Sequence, residues 1–255
     1  MSIAVRDLVV AYPGFELRVP SLDIGGAAVT TIVGPNGAGK TTLLKSVAGL
    51  LAARRGAIRV DGCDLAALPS AERARRLAFV PQEHGSAFNF AIRDFVLMGR
   101  TAYVPLFSTP AEADLEAARE ALDYVGLARY ADRPYTQLSS GERRLALIAR
   151  ALAQRSDVLV LDEPTTFLDP RHETEVLELV RRLAVEKRKT VLVTLHNLDM
   201  AVRYSDALVF LKGGRIVAAG PPAVILTEEL LERVYEIRMD ILDHRGRTFV
   251  VKVGS

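Results

Sequence analysis

Residues 29–50 constrain this chain more than any other stretch. Gly34-Pro35-Asn36-Gly37-Ala38-Gly39-Lys40-Thr41 reads G-x-x-x-x-G-K-T, the P-loop pattern. A β-branched run, Val29 to Val33, precedes it and suits a buried strand. Thr41 and Thr42 lead into Leu43, Leu44, Val47 and Leu50, which recur at the spacing of one helical face. Strand, glycine loop and helix together are the context that this pattern needs. Gly34, Gly37 and Gly39 let the backbone fold back, so that successive N–H groups converge on an anion. The dipole of the following helix adds positive potential at the same point. Lys40 then reaches β- and γ-phosphates, and the Thr41 hydroxyl ligates Mg²⁺. The stretch reads as a nucleotide site.

Composition narrows what surrounds that site. With 255 residues, 49% hydrophobic and 25% charged, the chain has ample core and is not disordered. A net charge of +2 is too small for nucleic acid to be the main partner, and no nucleic acid is expected. Cys63 is the single cysteine, so there is no internal disulfide. No run approaches the roughly eighteen apolar residues of a membrane span, and Arg6-Asp7 stand where a signal peptide would need an apolar stretch. The expectation is a soluble, cytosolic chain that works at a membrane only through a partner.

Outside the loop, chemistry-bearing residues recur at strand ends. Ile3 to Tyr12 alternates like a strand, and Pro13-Gly14 turns it back into Phe15 to Val19. Tyr12 stands before that turn, as half-buried packing or as a ring able to stack on a flat base. Leu77 to Val80 reads as a strand that releases Gln82, an ordinary loop glutamine or a group beside a nucleotide's Mg²⁺ and water. Residues 86–137 then change to helical periodicity. The segment Phe88 to Phe107, with Phe90, Phe95, Tyr103 and Leu106, is apolar with few charges, and its loop Gly99 to Phe107 is either tucked into the helical insert or a docking surface. Thr109-Pro110-Ala111-Glu112 reads as a capping box with proline at N1, opening a helix over 110–125 whose stripe is Leu115, Ala118, Leu122 and Val125. Leu138-Ser139-Ser140-Gly141-Glu142 is a second capping box, opening a helix through Ala153; such an N-terminus is also an anion site. Val158 to Leu161 is a buried strand that delivers Asp162 and Glu163, suited to holding Mg²⁺ and polarising water respectively. Asp169-Pro170 caps the next helix, and the strand Thr190 to Leu195 ends at His196, at the sheet edge where α/β proteins bind ligands. The tail after Pro221 carries a short helix and a hairpin with no visible chemistry.

In order and spacing, Tyr12, Gly34 to Thr42, Gln82, Leu138 to Glu142, Val158 to Glu163, Asp169 and His196 resemble the motifs of ATP-binding cassette (ABC) ATPases over nearly the whole chain. The resemblance implies an α/β fold: a P-loop NTPase core with an antiparallel β subdomain and an inserted helical subdomain. It implies one ABC ATPase domain over 1–255, with the helical part at about 86–150 and a short appendage at about 221–255. By the resemblance Tyr12 stacks on adenine; Gly34, Pro35, Asn36, Gly37, Ala38, Gly39, Lys40, Thr41 and Thr42 hold phosphate; and Thr41, Gln82 and Asp162 hold Mg²⁺. Glu163 is the catalytic base, His196 the switch histidine and Gln82 the residue on metal and water. Ser139, Ser140, Gly141 and Glu142 are the signature that acts on ATP held by the opposite subunit, with Asp169 nearby. Leu97-Met98-Gly99-Arg100 and Asp162 to Asp169 are similar to cassettes of iron-siderophore, haem and cobalamin importers. That likeness implies a homodimer beneath integral membrane permease subunits, at the cytoplasmic face of the membrane, fed indirectly by a substrate-binding protein. Two departures stand out. Ser140 and Glu142 replace the commoner Gly and Gln, and Arg144-Leu145 replaces a frequent Gln-Arg pair. The rival expectation is a soluble ABC ATPase not coupled to transport. A metabolic P-loop kinase leaves the signature helix unexplained.

Overall fold

Alternation along the first twenty-four residues produces a hairpin. Strands β1 (Ile3–Tyr12) and β2 (Phe15–Ile24) pair antiparallel from Ile3↔Ile24 to Tyr12↔Phe15. Ile3, Val5, Leu8 and Val10 from β1, with Leu17, Val19, Leu22 and Ile24 from β2, are buried. Burial alternates within each half of the two strands and changes parity in the middle, where Asp7 sits at φ 47°. The computed structural model describes residues 1–82, 89–105 and 107–253, and these form two compact units, Met1–Ala67 with Val180–Ser255, and Leu68–Leu179.

In the first unit β3 (Val29–Val33) is buried along its whole length. It lies between β8 (Thr190–Thr194) and β9 (Ala207–Lys212), parallel to both. Strands covered on both faces favour aliphatic runs, which Val191 to Val193 supplies; Val29 to Val33 is β-branched throughout, and its buried Thr31 hydroxyl is paired with the Ser205 hydroxyl at 2.5 Å. Beyond β9 the order continues through β10 (Arg215–Gly220), β2, β1, β4 (Arg55–Val60) and β5 (Cys63–Asp64). Helix α1 (Lys40–Val47) buries Leu43, Leu44 and Val47. Leu50 does not share that face. The helix has ended, Gly49 turns at φ 69°, and Leu50 is 58% exposed. The unit is completed by α7 (Leu198–Tyr204), α8 (Pro222–Ile225), α9 (Glu228–Tyr235) and the hairpin β11 (Met239–His244) with β12 (Arg247–Lys252).

The second unit holds α2 (Ser70–Arg76), the parallel pair β6 (Leu77–Val80) and β7 (Val158–Leu161), and helices α3 (Ile92–Leu97), α4 (Glu112–Tyr124) and α5 (Ser140–Ala153). Helix α6 (Pro170–Val185) begins in it and finishes in the first. One sequence expectation changes here, and one open choice is resolved. The box that caps α4 is not built by Thr109 and Glu112: Ala111 is the N-cap residue, and its N–H donates to Asp114 Oδ2 at 3.0 Å. Asp114 is held in place by Arg100, whose Nε donates to Oδ1 at 2.9 Å in a buried ion pair. The apolar segment over 88–107 is also largely covered. Phe95 is 1% exposed, with its ring centroid 4.4 Å from that of Tyr135, and the Tyr103 hydroxyl donates to the Gln154 carbonyl at 3.0 Å. Phe107 is exposed and Phe90 partly so, while Phe88 and Leu106 lie outside the described residues. Gly99, just past the end of α3, also permits close approach: a Cβ on it would meet the Arg150 carbonyl oxygen of α5 at 2.1 Å.

Candidate nucleotide site

The glycine loop bridges β3 and α1 in the first unit. At Gly34, with φ 153°, a Cβ would lie 2.0 Å from the Leu211 carbonyl oxygen. At Gly39, with φ 103°, it would lie 2.8 Å from the Phe15 ring. Gly34 therefore excludes any larger residue on space as well as on conformation, while at Gly39 the positive φ disfavours one and the Phe15 ring would have to shift. Gly37, at φ 76°, faces open space, so that stretch of backbone is free to approach a ligand closely. Lys40 is 5% exposed, and its Nζ donates to the carbonyls of Gly34 at 2.9 Å and Pro35 at 3.2 Å. The ammonium is thus folded back over the loop. Helix α1 starts from Gly39 with no side-chain cap and no acidic residue in its first turn. Its leading N–H groups, beside Thr41 and Thr42, form an anion-attracting end of positive partial charge.

Three other elements of the first unit converge on this loop. Tyr12, 44% exposed, pairs with Phe15, the residue whose ring packs on Gly39. His196 lies two residues beyond Thr194, and Gly34 two beyond Ile32, and Ile32 is the parallel partner of Thr194. The exposed His196 therefore leaves its strand at the level where the P-loop leaves β3. From the tail, Tyr235 lies beside the Gly34 backbone, whose N–H partly offsets the burial that pushes its phenol pKa well up. No short-range pattern points to Tyr235, because more than two hundred residues separate the partners.

The second unit has its own strand end. β6 and β7 run parallel with Val80 opposite Leu161, and the Asp162 N–H extends the ladder to the Val80 carbonyl at 2.9 Å. Gln82 and Glu163, each two residues beyond that last pair, meet: Gln82 Nε2 donates to Glu163 Oε2 at 2.6 Å. The Thr166 hydroxyl donates to the same oxygen at 3.2 Å. Glu163 is 8% exposed and sits at φ 47°, a backbone conformation costly for a non-glycine residue and concentrated at functional sites. Asp162 is 3% exposed. The result is an oriented carboxylate beside a second, buried one.

The signature folds as its spacing requires. Ser139 caps α5, its Oγ accepting from the Glu142 N–H at 3.2 Å while its own N–H donates to Glu142 Oε2 at 2.8 Å. That second bond holds the Glu142 carboxyl below the usual range. Ser140 is exposed and Gly141 buried. Asp169 Oδ1 caps α6 by accepting from the N–H groups of Arg171 and His172, both at 3.0 Å, and the His172 N–H is the main cause of its lowered carboxyl pKa. The His172 ring then joins the two motifs. Its Nδ1 lies 2.6 Å from Asp169 Oδ2, and its ring carbon Cδ2 stands 2.5 Å from where a Gly141 Cβ would be. A histidine three residues past a helix cap is the only sequence trace of that contact.

Comparison with known proteins bears on the family and the fold. Residues 17–166 match the family model "ABC transporter". The chain is 41% identical over 234 residues to the hemin import ATP-binding protein of Rhodococcus jostii, covering 91% of this chain and 79% of that one. It is 38% identical over 236 residues to the ferric enterobactin transport ATP-binding protein of Escherichia coli, covering 92% and 87%. Among solved structures, an inward-facing putative metal-chelate type ABC transporter superposes with a TM-score of 0.87 at 31% identity, over 99% of this chain and 97% of that chain. The dimeric post-hydrolysis state of the cassette MJ0796, bound to ADP and Pi, superposes at 0.73 with 25% identity, over 86% and 98%. With the phosphate cradle, the acidic strand end and the capped signature helix in place, the chain is an ATP-binding cassette ATPase and belongs to the ABC transporter family.

Proposed function

We propose that this chain is the ATP-hydrolysing subunit of an importer for an iron chelate, haem or cobalamin, paired as a homodimer under membrane permease subunits. The observation that carries the hydrolytic part is the 2.6 Å hydrogen bond from Gln82 to Glu163 at the ends of two paired strands. It orients the Glu163 carboxylate at the strand end, and a carboxylate held in this way suits the acceptance of a proton from water. Lys40 and His196 take up charge that develops on the γ-phosphoryl group, and Tyr12 offers its exposed face to adenine. Thr41, Gln82 and Asp162 fit a hard cation because each presents oxygen; Mg²⁺ held there would supply charge neutralisation at the phosphates. Ser139, Ser140 and Gly141 act on the nucleotide held by the opposite copy, beside Asp169. Glu163→Gln is expected to bind ATP and yet turn over roughly 10²–10⁴-fold more slowly, and to collect as an ATP-bound dimer on a sizing column. Near wild-type hydrolysis by that variant would remove Glu163 from the role of base.

The importer part draws on the hemin and ferric enterobactin relatives and on the helical region. A groove of about 390 Å³ runs between α3 and α4, with Leu97, Leu115, Ala118 and Leu122 along it and Arg93 and Asp132 at its rim. Leu115, expected in the core stripe of α4, is instead 38% exposed there. An apolar groove with a charged rim suits a short amphipathic helix of a permease. Among the described residues no helix is long and apolar enough to cross a membrane, so attachment at the cytoplasmic face runs through that partner, and a substrate-binding protein acts on the far side. Leu115→Asp would bury an unpaired charge on docking and is expected to abolish co-purification with membrane subunits. ATPase activity of the free variant serves as the folding control.

A further inference from the structure

The pair Arg144-Leu145, in place of the frequent Gln-Arg, has a structural consequence. Successive helix residues are about 100° apart around the axis. A cation at 144 rather than 145 therefore points in a different direction. Leu145 is 7% exposed and lies in the apolar core of the second unit. Arg144, equally buried, turns toward the end of β6, where Nη1 donates to the Pro81 carbonyl at 3.0 Å and Nη2 to the Gln82 carbonyl at 2.5 Å. One guanidinium fork thus grips two consecutive carbonyls. Arginine suits this because its donors are coplanar and fixed relative to one another.

We propose that Arg144 is a positioning residue for hydrolysis: it fixes the Pro81–Gln82 backbone so that the Gln82 amide stays on the Glu163 carboxylate. The proposal rests on the roles given above to Gln82 and Glu163. The two carbonyls lie on either side of the Gln82 Cα, one before it and one after it, so the grip sets the orientation of that residue. The Gln82 side chain leaves from that point and ends 2.6 Å from Glu163 Oε2. Arg144 sits on α5, five residues past the Ser139 cap. The helix that presents the signature and the residue that orients the base are therefore held by a single side chain. A shift of α5 at Arg144 is thereby passed directly to the Gln82 backbone. Engagement of the signature by a second copy's nucleotide would in this way be felt at Glu163.

The test is a kinetic double-mutant cycle on the full chain, with Arg144→Met, Gln82→Ala and the pair, and with melting temperatures measured alongside. Arg144→Met is expected to lower kcat about tenfold, the order of loss that follows a small misplacement of a reacting group. Its KM for ATP should stay within about twofold, since no phosphate contact is touched. Combined with Gln82→Ala it should cost nothing further, because both act through one amide. Arg144→Lys, reaching one carbonyl, should recover part of kcat. If Arg144→Met does not fold, Arg144→Lys is put through the same cycle, and a reduced kcat that vanishes as a difference in the Gln82→Ala background supports the proposal. Wild-type kcat in an Arg144 variant while Gln82→Ala is impaired overturns it. So does a loss that multiplies with that of Gln82→Ala. Wild-type kcat in Gln82→Ala itself would fell the reading of Gln82, and the role of Arg144 with it.

Discussion

A methyl group at position 141 has no room while His172 stays where it is. Its carbon would stand 2.5 Å from the His172 ring, well inside any real contact, so Gly141→Ala must push the ring off Asp169. Overpacking of this kind costs about 1–3 kcal/mol. Gly141→Ala is therefore expected to lower the melting temperature, and His172→Ala in the same chain should recover most of the loss; if it recovers none, the ring is not the obstacle. The buried pair Arg100–Asp114 makes a second prediction at this scale. The Arg100 guanidinium holds the Asp114 carboxyl below the usual carboxylate range. A carboxyl lowered on folding contributes stability that is complete above its unfolded value, about pH 3.9, and that fades as pH falls through its folded value. Asp114→Asn leaves the buried Arg100 charge without its carboxylate and should cost about 3–5 kcal/mol at pH 7. Denaturant titrations should show that difference shrinking in acid.

The element that changes meaning most is the tail. Residues 221–255 look like an appendage without chemistry, yet α9 buries Leu230, Leu231 and Val234. Lys212 at the end of β9 donates to the Arg233 carbonyl at 2.6 Å and pairs with Glu236 at 2.7 Å. The hairpin beyond is tied to α7, the helix that follows His196, by the Val250 N–H donating to Asp199 Oδ1 at 2.6 Å. Tyr235 closes the connection at Gly34. The tail is thus part of the support of the P-loop. Leu231→Ala should destabilise by about 2–5 kcal/mol, as a fully buried leucine does. Tyr235→Phe removes only the hydroxyl; a rise of a few-fold in KM for ATP with kcat retained is expected, and an unchanged KM would show that Gly34 needs no such prop.

At the scale of the whole molecule, each copy carries a cradle in one compact unit and a signature helix in the other. If the homodimer works as proposed, Lys40→Ala spoils a copy's cradle and Ser139→Arg spoils what it offers its neighbour. Each variant alone then has no intact site. Mixing them leaves one intact site in each heterodimer, so ATPase activity should reappear on mixing. Heterodimers that form and stay inactive would show that the signature does not act across subunits.

What the sequence determined by itself was local. The spacing of the three P-loop glycines, the aliphatic quartet before Asp162, and the Ser139–Glu142 box are legible because each depends on residues a few positions apart, whose geometry φ, ψ and capping rules set directly. The order of the motifs also sufficed for the family. The capping rule misled at α4, because Arg100 draws Asp114 into the role assigned to Glu112. Periodicity misled at Leu50, where Gly49 ends the helix too soon, and at Leu115, left at the edge of a groove. What only the tertiary structure decided was long-range: β3 set between β8 and β9, Arg144 on Pro81 and Gln82, His172 against Gly141, and Tyr235 on Gly34. Those contacts join segments 31 to 201 residues apart, and no local rule encodes them. They follow from which buried faces find each other when the strands are laid side by side.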